Sequence, residues 1–261
     1  MKEELAATEI QAIEEFKKII ARVPKVASPY EQLALFCQDR KIYPQAIDAL
    51  RQAVLLRPDY DSHKNRMSNV TYDMCDRLEN ENKLEEGVKA FRETIDFLDD
   101  YDPEHKRILR LLVPLAGFLR KLGRFDESIT ATKRIVSADP ENRFVLESLG
   151  HLYVYNEQLD LAEQAFLDLQ EKFEDDDRAV ACLANLHLVK RNPDKSLAII
   201  EAAFLRGIDS PEIQLMYGKS LISQGLEKED STLVDQGRQI LRELKKTHPQ
   251  LIRIEDEDYL K

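Results

Sequence analysis

Tryptophan is missing from this chain, glycine occurs only eight times and cysteine three times. Each scarcity excludes something. The cysteines, Cys37, Cys75 and Cys182, are odd in number and far apart, with no CxxC pair. A zinc ribbon, a thioredoxin-type centre and a disulfide scaffold therefore have no basis, and the thiols read as small apolar groups in a reducing compartment. With so few glycines, no GxxxxGK[ST], GxGxxG or GxSxG occurs, so nucleotide cradles and nucleophile elbows are not indicated. Basic excess is lacking too: 38 Lys and Arg face 49 Asp and Glu, a formal charge of −11. Such a balance repels phosphate backbones and anionic membrane surfaces, so neither nucleic acid nor membrane insertion is expected. No apolar run approaches spanning length, and the start, MKEELAATEIQAIEEF, has no apolar leader-like core. A soluble, cytoplasmic protein is the expectation.

What is abundant is helix-forming sequence. PQAIDALRQAVLL (44–56) and LDLAEQAFLDLQEKF (159–173) place apolar residues three and four apart, the mark of amphipathic helices. Alternating strand runs are not found, so the fold is expected to be all-α.

The helices repeat. Leu149, Gly150, Tyr153, Ala162 and Phe166 are followed 34 positions later by Leu183, Ala184, His187, Ser196 and Ile200. The same step backward gives Leu115, Ala116, Leu119, Ser128 and Thr132, with Pro140 closing the unit. Tyr30, Leu33, Ala34, Cys37, Ala46, Leu50, Ala53 and Pro58 hold the same register near the start. This pattern resembles the tetratricopeptide repeat family. The small residues let a second helix lie close on a first, the large ones fill the gap to the next pair, and Pro58 and Pro140 end second helices. A pair cannot bury its face alone, so stacking is required.

Repeat units are expected at 27–67, 68–108, 109–142, 143–176, 177–210 and 211–250, within one solenoid domain over 1–261. Residues 1–26 form an N-terminal capping helix, or half unit, and 251–261 a charged tail or short turn. The first two units and the last are longer than the norm by about seven residues, roughly two helical turns. The stretch 60–83 reads as one long helix. Pro114 either starts a helix or lies within one.

The resemblance implies a right-handed α-solenoid whose first helices line a concave groove, with another protein's peptide or helix as ligand. Inward places in this register are Tyr72, Asp73, Asp76 and Glu79; Arg110, Val113, Gly117 and Arg120; Phe144, Glu147, His151 and Tyr155; Arg178, Cys182 and Asn185; and Met216 and Lys219. The peptide-binding set expected from them is Tyr72, Asp76, Arg110, Arg120, Phe144, Glu147, His151, Tyr155, Arg178, Asn185 and Lys219. Its N-terminal part is acidic and its C-terminal part basic and aromatic, and Arg, Tyr and Phe are residue types common in binding hot spots. The clamp that holds chaperone tails ending in EEVD is not matched, since Glu31, Leu35, Asp73 and Pro114 stand at four of its places and only Arg110 fits.

Chemistry is not expected. The histidines His63, His105, His151, His187 and His248 form no HExxH, so catalytic residues, metals and cofactors are all expected to be absent. His187 reads as a hydrogen-bonded interior residue. The acidic runs 99–102 and 174–177 lack the spacing of a calcium loop and read as solvated helix starts. The expected function is a non-catalytic scaffold or adaptor. The alternatives are a structural subunit packing through its ends and convex face, homo-oligomers included, or a module of a larger enzyme or secretion component.

Overall fold

The computed structural model describes residues 6–102, 106–174, 176–253 and 256–260. His105, Asp175, the first five residues of the capping segment, and residues 254, 255 and 261 of the tail lie outside the described residues. No strand occurs among the described residues. The chain divides into two compact units, one ending at Ala138 and one beginning at Asp139.

The first unit contains α1 (Ala7–Arg22), α2 (Ala27–Asp39), α3 (Tyr43–Leu56), α4 (Asp61–Asn80), α5 (Leu84–Asp99), α6 (Lys106–Lys121) and α7 (Phe125–Ala138). The second contains α8 (Arg143–Tyr155), α9 (Leu159–Lys172), α10 (Asp177–Val189), α11 (Pro193–Leu205), α12 (Pro211–Glu227), α13 (Ser231–Thr247), a 3₁₀ turn at Pro249–Leu251 and α14 (Glu257–Leu260). Helices α2 to α13 form successive pairs, and α1 packs on α2 through Phe16 and Phe36, whose ring centroids are 5.7 Å apart.

The packing positions are where the repeat puts them. Leu33, Ala34, Cys37, Ala46, Leu50 and Ala53 are buried, and so are their counterparts from Leu115 to Thr132, Leu149 to Phe166 and Leu183 to Ile200. One contact explains why small residues recur. Where the two helices of a pair come closest, Ser128 donates to the Ala116 carbonyl at 2.8 Å and Ser196 to the Ala184 carbonyl at 2.9 Å. The Cys75 thiol reaches the Gly87 carbonyl at 3.6 Å at the matching place. At Gly150 a β-carbon would run into the Phe166 ring.

Turns inside the pairs also repeat. Lys41, Asn82, Gly123, Glu157, Arg191 and Glu229 all have positive φ, each two residues before a second helix. In each turn the next N–H bonds back five residues, as Ile42 does to the Cys37 carbonyl at 2.8 Å and Asn192 to that of His187 at 2.8 Å. This is the Schellman closure, which satisfies the last carbonyls of the first helix. Glycine is the usual residue there, yet five of these six positions are not glycine.

The extra lengths are whole helical turns. Helix α4 starts at Asp61, seven residues ahead of the expected boundary at 68, so the excess extends its N-terminus while Cys75 keeps register. In the last pair α12 and α13 are each 17 residues long, against 13 for α10 and α11. The added turns bring Gly237, rather than residue 230, opposite Gly218. Pro114 lies inside α6 and does not start it.

Two expectations are corrected, one on Asp102 and one on His187. Asp102 is fully buried and does not solvate a loop: it accepts from the Arg107 backbone N–H at 2.9 Å and pairs with the Arg107 guanidinium. Of the charged tail and the short turn expected over 251–261, the short turn is what forms. Leu251, Ile252 and Tyr259 pack on the apolar core of the second unit, and Asp256, 2% exposed, pairs with Lys219. His187 is interior as expected, but its Nε2 makes no hydrogen bond, standing 3.6 Å from Glu163. Burial first, then the Lys195 charge, lowers its basicity.

Candidate functional site

In the first unit, the stripe on α4 carries Tyr72, Asp73 and Asp76, all exposed. Glu79, one turn on, is tied to Lys121 of α6. Arg110, Val113 and Arg120 are exposed along α6, and Gly117 between them has open space where a β-carbon would stand. Pro114 offers no N–H to the Arg110 carbonyl. These four expected site residues, Tyr72, Asp76, Arg110 and Arg120, therefore face solvent on first helices.

The second unit brings more of the set together. Phe144, Glu147, His151 and Tyr155 follow one face of α8; Arg178, Cys182 and Asn185 follow one face of α10. Phe144 is 59% exposed, a large ring in water. It is held by two guanidinium groups, Arg143 at 5.1 Å and Arg178 at 5.3 Å from its centroid. Such stacks are attractive because cations favour the negative face of the ring. Arg143 is anchored by Asp176 at 3.1 Å, and Asp176 also caps α10 by accepting from Arg178 N–H at 3.0 Å. Arg178 lies 3.5 Å from Glu147, and Glu147 lies 3.7 Å from His151. His151 Nε2 is 3.5 Å from the Cys182 sulfur, while its ring meets Phe166 edge-on at 5.3 Å. Tyr155 is exposed, and Asn185 is half-buried one turn beyond Cys182.

The face is less basic than expected, since Arg143 and Arg178 both have acid partners. Lys219 departs further from expectation. Its side chain is 13% exposed, paired with Asp256 and 5.7 Å from the Tyr259 ring centroid, so it is not an open cation. Met216, expected on the same inner line, belongs to the core. Arg143 and Asp176 were missed by sequence reasoning. They are 33 residues apart, close to one repeat length, and the pairs Glu147–Arg178 and His151–Cys182 are both 31 apart, so such residues face each other on neighbouring first helices.

Could this cluster act as a nucleophile and base? A cysteine dyad needs its thiol activated and the histidine oriented through the second nitrogen. Here burial first, then the Glu147 and Asp176 charges, push the Cys182 thiol up to about 12. Glu147 approaches the same Nε2 that meets the sulfur. His151 first, then Arg178, hold the Glu147 carboxyl below its ordinary range. The arrangement is a set of ion pairs and stacked rings with a protonated thiol at its floor.

Neither a protein-family model nor a curated protein sequence matches this chain. Solved structures do. BtubC (BKLC) from P. vanneervenii is 15% identical, with a TM-score of 0.53 over 80% of this chain and 92% of that one. The nearly identical TPR-like repeats from Podosopora anserina are 16% identical, with a TM-score of 0.53 over 70% of this chain and 98% of theirs. The MamA protein is 15% identical, with a TM-score of 0.51 over 69% and 94%. At such identities the likeness is one of fold, and the fold is the all-α tetratricopeptide-repeat fold that the sequence pattern resembles. No described helix is long and apolar enough to cross a membrane.

Proposed function

We propose that this chain, with its tetratricopeptide-repeat fold, is a non-catalytic protein-binding scaffold that takes a segment of a partner protein along its first helices. One observation carries the reading: Phe144 stands exposed between two stacked arginines, with Tyr155 further along the same helix. An exposed aromatic whose neighbours already fix it loses little side-chain freedom on binding. Aromatic and arginine side chains are those that dominate interface energies. Partner side chains suited to this face are apolar or aromatic against Phe144 and acidic against the outer guanidinium edges. Asn185 supplies an amide for the backbone of an extended segment. The alternative, assembly through the ends and convex face, rests on two exposed leucines at helix ends, Leu205 on α11, 91% exposed, and Leu226 on α12.

The test is paired affinity capture from native lysate. One bait is the wild-type chain and the other carries Tyr155→Ala and Arg178→Glu, both in the second unit, with helicity checked by circular dichroism. A specific prey lost from the variant is the expected result. Identical preys on both baits reject the first-helix face, and a concentration-dependent mass that changes on Leu205→Glu instead favours assembly.

A further inference from the structure

The floor of the same face holds three groups of a kind that bind metals. Glu147 and His151 are four residues apart on α8, so both point from one side of that helix. Cys182 comes up from α10 beneath them. A carboxylate oxygen, an imidazole nitrogen and the sulfur all lie within 4.8 Å of one another. We infer that Glu147, His151 and Cys182 form a three-ligand site for one thiophilic divalent transition-metal ion of the zinc type, with the fourth position open to water. This goes beyond the scaffold reading and does not depend on it.

The distances decide the class. Around zinc, ligand bonds of about 2.0–2.3 Å set at tetrahedral angles give ligand-to-ligand edges of about 3.3–3.6 Å. His151 Nε2 to the Cys182 sulfur is 3.5 Å, and His151 Nε2 to Glu147 Oε1 is 3.7 Å. The third edge, Glu147 to Cys182, is within 4.8 Å, and the partly exposed Glu147 side chain has room to rotate toward the sulfur. Both short edges meet at one nitrogen, as they do when that nitrogen is itself a ligand. The other oxygen of Glu147, Oε2, is 3.5 Å from Arg178, an outer partner that leaves Oε1 turned inward. Hard cations are disfavoured, because calcium takes six to eight oxygens and only one carboxylate stands here. A sulfur, a nitrogen and an oxygen suit zinc and its cobalt analogue. On binding, the Cys182 thiol gives its proton to solvent and the sulfur forms the metal bond.

The probe is Co²⁺, followed by displacement with Zn²⁺, on the full chain. Wild type is expected to take one Co²⁺ with a thiolate-to-cobalt charge-transfer band in the near ultraviolet, which Zn²⁺ abolishes. Cys182→Ser should lose the band. Glu147→Gln and His151→Gln, at partly exposed positions that leave the core intact, should each weaken binding by more than about tenfold, since even outer partners are worth about that. The other thiols, Cys37 and Cys75, lie in the first unit and belong to no group of three potential metal ligands among the described residues, so they supply no band of their own. The proposal is overturned if saturating Co²⁺ gives no thiolate band in wild type. It is equally overturned if the band persists in Cys182→Ser, or if both glutamine variants bind as wild type does.

Discussion

Asp102→Ala lowers the unfolding free energy by about 3 kcal/mol, read from urea denaturation of the chain. The reason is what it leaves behind. Arg107 is largely buried and takes its charge compensation from Asp102, with Asp61 at 3.0 Å and the Asn65 amide oxygen at 2.8 Å as outer partners. Removing one partner of a buried pair costs about 3–5 kcal/mol, because the other charge stays desolvated. Asp61, well exposed, remains to satisfy part of the guanidinium, which places the effect at the low end. The α6 start also loses its acceptor for the Arg107 N–H. Asp102→Asn keeps that acceptor and should cost visibly less than alanine. Equal losses for the two variants would show that the charge contributes nothing.

Gly237→Leu is expected to destabilise the second unit by about 3 kcal/mol, at the upper end for overpacking a close contact. A β-carbon on Gly237 would lie 2.5 Å from the Gly218 carbonyl oxygen and 3.1 Å from the Ile222 nitrogen. Those are backbone atoms within a helix, so they cannot swing aside as a flexible side chain would. Gly225 shows the same crowding, its β-carbon falling 2.8 Å from the Asp230 carbonyl oxygen. The three glycines are why α12 and α13 pack so closely. Gly117 is the opposite case, inside α6 with nothing within 4 Å of its β-carbon. There alanine should stabilise by about 0.5–1 kcal/mol through helix propensity alone. Comparing melting of the Gly237 and Gly117 variants checks both signs, and a neutral Gly237→Leu would contradict the close-contact account.

These two sites show where sequence reading succeeds and where it stops. The packing positions were legible because burial imposes one size rule at one spacing, and Gly150, Ala162 and Phe166 obey it as their counterparts do. Helix ends were less legible, since a two-turn extension such as that of α4 keeps every inner residue in phase. Asp102 and Lys219 misled because a charged residue reads as solvated until its partner is located, and Arg107 and Asp256 are recognisable only in three dimensions. The candidate site was legible as two helix stripes. What joins them is the 31-residue facing of Glu147 with Arg178 and His151 with Cys182, which follows from how neighbouring first helices stack and from no motif within either.

The account centres on the face built by α8 and α10, and photo-crosslinking tests it most directly. A photoreactive phenylalanine analogue is placed at Phe144, at Tyr155, or at Leu205 on the second helix α11, and each chain is irradiated in native lysate. The account predicts one shared crosslinked product from positions 144 and 155, lost with Arg178→Glu, and no such product from 205. A product from 205 alone would contradict it and move the working surface to the second helices.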